Sequence, residues 1–370
     1  MTTVATLVRR SARPVLLLAG SGVSAVIPIA TLSIATQTMD ASGQGLIALA
    51  LSISAYIAQV AGALAVEGPL AAGRTGGLLL PRWLMSFALA GAVLVGLGSR
   101  DAALGVAGLL LLYPVLELTR VVCVVDNRAR IEGYSAGVVL LAAAAALMSA
   151  HLGAGEVAWW VLGAGGLAAV LFRLETMAGS PTGFAPARIS APIVAETAVT
   201  GIVQPILVAT ISTALGPLAA VGFRALTSLG GLMSPALGFL RLRLLSHNAS
   251  RADRLVALTL LGVFGLAVVV LGETPLLYAL FGDAWRYSSY LILTMLVAWR
   301  LVVAASTFPF ARLRRAGRTT TVLSVRVLSS ALLLALAIGG AHWHGVAGAF
   351  AGLLLAESIS FLMYQWRASR

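Results

Sequence analysis

Apolar residues fall in blocks of about twenty along the whole chain, separated by short polar stretches. The blocks lie near 14–36, 45–66, 83–99, 102–119, 134–152 and 156–174, and again near 191–213, 217–240, 255–272, 288–310, 320–340 and 346–365. A helix rises about 1.5 Å per residue, so blocks of this length match a hydrocarbon layer roughly 30 Å thick. The ten-residue alternating segments of a membrane β-barrel are missing from the pattern. It predicts an all-α integral membrane protein with about twelve transmembrane helices in two six-helix lobes. The lobes are placed at 1–180 and 181–370, with the boundary at MAGSPTGFAPAR, a stretch rich in Gly, Pro and Ser.

The second half opens with two apolar segments, 191–213 and 217–240, closed by the basic stretch RLRLLSHNASRADR. The pair has an echo early in the chain. A gapless shift of 177 positions lays Pro28 on Pro205, Ile29 on Ile206, Ile34 on Ile211, Thr36 on Thr213, Gly45 on Gly222, Ala48 on Ala225 and Leu49 on Leu226, seven identities in 22 positions. We read an internal repeat in which each lobe begins with a proline-broken helix. Proline removes a backbone hydrogen bond and kinks a helix. Gly20, Gly22, Pro114 and Pro235 are further breakers. Pro28 and Pro205 are singled out because they recur at matching positions, and such breaks often line a substrate path.

Composition agrees with the pattern: 59% of the 370 residues are hydrophobic, 10% are charged, and mean hydropathy is +0.98. Soluble domains carry about a quarter charged residues. The net charge of +12 comes from arginine alone, which we attribute to coding bias, and nucleic acid is not expected as a partner. Placement of the arginines is more informative. Alternate loops and the termini hold Arg9, Arg10, Arg13, Arg74, Arg82, Arg120, Arg128, Arg130, Arg173, Arg188, Arg241, Arg243, Arg251, Arg254, Arg312, Arg314, Arg315, Arg318, Arg367 and Arg370. The opposite loops hold Arg100 and Arg286. This asymmetry places the protein in the inner (cytoplasmic) membrane as a multi-pass protein with both termini cytoplasmic. No cleavable signal peptide is evident after Arg9, Arg10 and Arg13. Cys123 reads as a small buried apolar residue.

The outer loops are short, so a soluble catalytic module is not expected and the protein is read as not an enzyme. His342 and His344 form an H-x-H with no companion ligand, so no metal or cofactor is expected. The sequon at Asn248 falls on a cytoplasmic loop and carries nothing. Gly348 and Gly352 predict close helix packing. The stretch GPLAAGRTGG lacks the Asp of the major-facilitator loop signature.

Charges inside spans are the candidate chemistry, because an ionisable group in a spanning helix costs about 2.5–3.5 kcal/mol on insertion scales. Arg224 lies too deep to reach the surface easily. It reads as an anion site suited to phosphate, or as a snorkelling or carboxylate-paired residue. Arg300 and Glu357 share a depth and are expected to form a buried ion pair. Glu196 suits a coupling proton or cation, or a carboxyl satisfied by helix-terminal donors. Arg326 reads as snorkelling.

Three stretches resemble polysaccharide (O-antigen-type) flippases of the multidrug/oligosaccharidyl-lipid/polysaccharide exporter superfamily. They are LLLAGSGVSAVIPIATLSIATQTMDASGQGLIALALS, LGPLAAVGFRALTSLGGLMSPALGFLRLRLLSH, and LLYALFGDAWRYSSYLILTMLVAWR with its LFG-x-x-W turn. The resemblance implies two lobes around a central cavity, alternating access, and a lipid-diphosphate-linked glycan as cargo. Membrane lipids would be the other partner, with coupling to a proton or sodium gradient and a monomeric state. It implies that cations in the cavity face the headgroup, with Arg224 in such a place; Arg300, Glu196 and Glu357 are the further candidate cavity residues. The family's pattern has cations in the first lobe too, and here Ile47 stands opposite Arg224 in the repeat. A drug or metabolite antiporter of the same superfamily is the alternative. A membrane-embedded glycan polymerase or ligase is the rival from another class.

The topology is testable by cysteine accessibility on a Cys123→Ser background. Cysteines at the termini and at 248 are expected to resist an impermeant reagent in intact cells, and one at 343 to react. Labelling at 248 overturns the orientation.

Overall fold

The computed structural model describes residues 25–73, 78, 80–175, 185–234, 237 and 251–369. It is all-helical in the described residues. The chain divides into two compact units, Met1–Val194 and Ala195–Arg370. The boundary expected at 180 falls among residues outside the described set, as do Gly20, Gly22, Pro235 and the loop arginines Arg241 and Arg243.

In the first unit α1 is Ala25–Thr38 and α2 is Ala41–Ala71. Leu84–Gly96 (α3), Ala102–Val125 (α4), Ala129–His151 (α5) and Gly155–Glu175 (α6) follow. Asp40 turns the chain between α1 and α2. Its carboxylate accepts from the Ser42 hydroxyl at 2.7 Å and the Gly43 N–H at 3.0 Å, as an N-cap does. Those two donors hold the exposed carboxyl below the usual carboxylate range. Hydroxyls inside the helices return to their own backbone: Thr31 donates to the Ile27 carbonyl and Thr38 to the Ile34 carbonyl, both at 2.8 Å. The first unit's packed pairs include α2 with α4, α3 with α4, α3 with α6, and α5 with α6.

The second unit takes up α7, Ala187–Leu215, within which the division falls, and α8, Pro217–Gly230. Arg251–Gly272 (α9) turns through 71° into the short helix Pro275–Phe281 (α10). The corner is held by the Trp285 indole, which donates to the Gly272 carbonyl at 3.2 Å and stacks on Phe281. It coincides with the LFG-x-x-W turn. Next come α11, Tyr290–Arg315, and a helical run Thr319–Ser369. At about 1.5 Å per residue that run is more than twice as long as a bilayer core is thick. It is broken at His344 and Gly345 (φ 61°) into an antiparallel hairpin, α12 (319–343) and α13 (346–369). A Cβ on Gly348 would strike the Gly340 carbonyl, and one on Gly352 the Leu336 carbonyl, so glycine is what lets these backbones meet. The expected close packing at Gly348 and Gly352 is therefore present. Here α8 packs with α11, α9 with α11, and α11 with the hairpin, so the first unit's α2–α4 and α3–α4 pairings recur in the second.

Each of the twelve apolar segments is helical over most of its described residues. Among the described residues seven helices are long and apolar enough to cross a membrane, eight if the bent α9–α10 pair is one span, while α1, α3 and α8 are shorter apolar helices. The helices overrun the apolar segments by several residues. Arg120, Arg130, Arg173, Arg188, Arg312 and Arg314 therefore lie on helices and not in loops. Overrun lets charges on neighbouring helix ends meet. Arg173 of α6 donates through Nε and Nη2 to both oxygens of Glu132 on α5, each at 2.9 Å, and through Nη1 to the Leu116 carbonyl at 3.1 Å. The two side chains are 3% and 0% exposed, so the fork is fully desolvated. Removing one partner strands a buried charge at a cost of about 3–5 kcal/mol. Glu132→Gln and Arg173→Met are each expected to lower the thermal midpoint of detergent-solubilised protein. The double variant is expected to be milder than either, and additive losses would contradict the pairing.

Candidate functional site

The polar side chains of the second unit gather at three places on its helices. The first lies beside the break in α7. Ala187–Gly201 ends at Ile202 and Val203–Leu215 resumes. Pro205 explains the position, because its ring clashes with the carbonyl four residues earlier, that of Gly201. The proline break expected here is present, whereas Pro28 sits within α1 and the turn before it lies outside the described residues. One and a half turns before the break, Glu196 is 8% exposed. Its Oε2 accepts from Arg314 Nη2 of α11 at 2.5 Å, and its Oε1 lies 3.6 Å from Arg326 Nε of α12. Both guanidiniums lie over the Phe310 ring, at 5.1 and 4.8 Å, and Arg326 also over Tyr364 at 5.6 Å. Phe310 and Tyr364 meet edge-on within an apolar cluster that includes Leu313, Val322 and Val325. Glu196 is thus a carboxylate clamped between two arginines. That assigns it a tying role across α7, α11 and α12, and Arg326 is an ion-pair partner where snorkelling was expected.

The second place is one turn of α8. Arg224 is 5% exposed. Its carbonyl accepts from the hydroxyls of Thr227 at 2.9 Å and Ser228 at 2.8 Å. Gln204 of α7 donates to the Thr227 hydroxyl at 3.0 Å. Arg300 of α11 reaches the same turn: its Nη2 donates to the Thr227 carbonyl at 3.4 Å, and its guanidinium lies 4.6 Å from the centre of the Trp299 ring. Gly230 makes room, since a Cβ there would sit 3.0 Å from Arg300 Nε and 2.9 Å from Leu296 Cδ1. Arg300 of α11 thus reaches the stretch of α8 that carries Arg224.

Glu357, midway along α13, is the third. It is 8% exposed, and its Oε1 lies 3.0 Å from Ser306 Oγ of α11. The expected Arg300–Glu357 ion pair is not formed: among the described residues each has the partner just given. Equal depth on two helices does not fix which faces meet, and Arg300 turns toward α8. The sequence reading missed Gln204, Ser306 and Arg314. Arg314 falls past the apolar segment 288–310, so hydropathy sets it with the loop arginines, whereas α11 runs on to Arg315. Among the described residues no cluster of His, Cys, Asp and Glu suits a metal ion.

No protein-family model and no curated protein matches the chain. Solved structures do. One described as MATE in complex with MaD5 aligns over 96% of this chain and 94% of its own, with TM-score 0.51 at 13% identity. Structures described as the inward-facing and outward-facing conformations of a multidrug resistance MATE family transporter of the MOP superfamily also align. They cover 95% and 96% of this chain and 93% and 94% of theirs, with 15% and 14% identity and TM-scores of 0.47 and 0.48. At such identities the likeness is one of fold.

The clamp on Glu196 is testable by a double-mutant cycle in thermal unfolding. Glu196→Gln and Arg314→Gln are each expected to destabilise, with a coupling of about 0.5–3 kcal/mol. Strict additivity would separate the two residues.

Proposed function

We propose that the protein is a membrane transporter of the MOP superfamily, working by alternating access. Its cargo on this reading is a lipid-linked saccharide carried by an anionic headgroup. The MATE-like fold and the resemblance of the helix seven–eight stretch to polysaccharide flippases support the transport class. The observation that carries the cargo reading is that Arg300 of α11 reaches the Thr227 carbonyl, on the turn of α8 that bears the buried Arg224. Guanidiniums are permanently charged and fork-shaped, which suits phosphate oxygens. Of the two carboxylates singled out in this unit, Glu196 is paired with Arg314 and Glu357 meets Ser306. A polymerase or ligase reading gains nothing from these residues, since cations alone supply no general base or nucleophile.

Transport of a lipid-diphosphate-linked saccharide in proteoliposomes tests this. Arg224→Lys keeps the charge but loses the planar fork, and transport is expected to fall while the amount of folded protein holds. Arg224→Ala is expected to abolish transport. Wild-type rates in the alanine variant, at matched reconstitution, overturn the role given to Arg224.

A further inference from the structure

Ser306 has one hydroxyl hydrogen and two neighbours placed to use it. Its Oγ lies 3.0 Å from the Val302 carbonyl, one turn earlier on α11, and 3.0 Å from Glu357 Oε1 on α13. Both distances are hydrogen-bond distances. A carbonyl cannot donate, so a full bond to Val302 uses the serine hydrogen. The contact with Glu357 is then a full hydrogen bond only when the hydrogen comes from the carboxyl group. Ser54 shows the contrast: its Oγ lies 2.7 Å from the Ala50 carbonyl and 3.0 Å from the Leu109 carbonyl, two acceptors that must share one hydrogen. Glu357 is the neighbour that can bring its own.

The surroundings agree. Glu357 sits midway along its helix and is 8% exposed, and Ser306 is 6% exposed. An ionised carboxylate so placed needs a cation or several donors. Nearby charges are Arg326 on α12 and Arg300 on α11, and neither is within ion-pair distance. Arg300 is turned to the Thr227 carbonyl, close to Arg224 of α8, and Arg326 toward Glu196 of α7. Tyr364 lies two turns further along α13, against Phe310.

We infer that Glu357 is a proton-binding site in the membrane interior, a neutral carboxyl that donates to Ser306. Its ligand is a proton, taken from water as an O–H bond forms on the carboxylate and returned when that bond breaks. Loss of the proton leaves a buried carboxylate and removes the hydrogen bond between α11 and α13, so proton release favours any state of the unit that wets this position. The coupling of that proton to cargo rests on the proposed transport function; its presence on Glu357 does not.

Infrared difference spectroscopy on the reconstituted full-length protein reads the carboxyl directly. At neutral pH the wild-type protein is expected to show a protonated-carboxyl C=O band, sensitive to hydrogen–deuterium exchange, that is lost in Glu357→Gln. In Ser306→Ala the band is expected to persist and move to higher frequency as its hydrogen bond is lost. Should Glu357→Gln fail to fold, the shift in Ser306→Ala carries the test. A wild-type spectrum with no protonated-carboxyl band overturns the inference, as does a band unmoved by either variant or one that yields to sodium. If the band behaves as expected while lipid-linked saccharide transport fails, the cargo reading falls and the proton site stands.

Discussion

Inside a hydrocarbon layer there is no water to satisfy a polar group, so every donor, acceptor and charge must find its partner in the protein. That constraint organises this molecule. It makes the chain mostly helical over its described residues, and it sends hydroxyls such as Thr31 and Thr38 back to carbonyls of their own helix. Charges are drawn to helix ends, where they meet across neighbouring helices. Each unit has such a tie. In the first, Arg173 and Glu132 form a closed fork capped by the Leu116 carbonyl. In the second, Glu196 is clamped by Arg314 and Arg326 above an aromatic cluster.

The units differ away from the ends. Charged residues on the first unit's described helices lie mostly toward helix ends, Glu117 of α4 being paired one turn away with Arg120, and the repeat places Ile47 where the second unit has Arg224. The second unit keeps Arg224, Arg300 and Glu357 well inside its helices, at the expense that such placement carries in a membrane. Glycine at 230 leaves space for Arg300, and the break at Pro205 leaves Gln204 beside Thr227. These are the features by which the second unit departs from a merely well-packed bundle; all but Glu357, which meets Ser306 of α11, lie around one stretch of α8.

The helices were legible in the sequence because burial in lipid demands long apolar runs, and their sequence bounds agree with the observed ones to within a few residues. The hairpin at His344 and Gly345 and the corner at Trp285 were legible as turns for the same reason. Side-chain partners were not. Depth along a helix can be counted in residues, but the direction a side chain faces depends on how helices rotate against each other. Arg300 and Glu357 share a depth and still part company, one to α8 and one to Ser306. The overrun of helices beyond the apolar runs, which brings Arg314 to Glu196, leaves no mark in hydropathy. Arg224 was found because an arginine in an otherwise apolar helix is conspicuous, whereas Ser306 and Gln204 are ordinary residues in a membrane helix.

The central claim is that the turn of α8 shared by Arg224 and Arg300 is an anion site. Binding of a lipid diphosphate to the purified protein, compared between wild type and Arg300→Met, tests it most directly. A charge-assisted hydrogen bond contributes about 1.5–3 kcal/mol, so affinity is expected to fall roughly 10- to 150-fold in the variant, with a neutral lipid of the same chain unaffected. Equal affinity of the two proteins for the diphosphate would contradict the account.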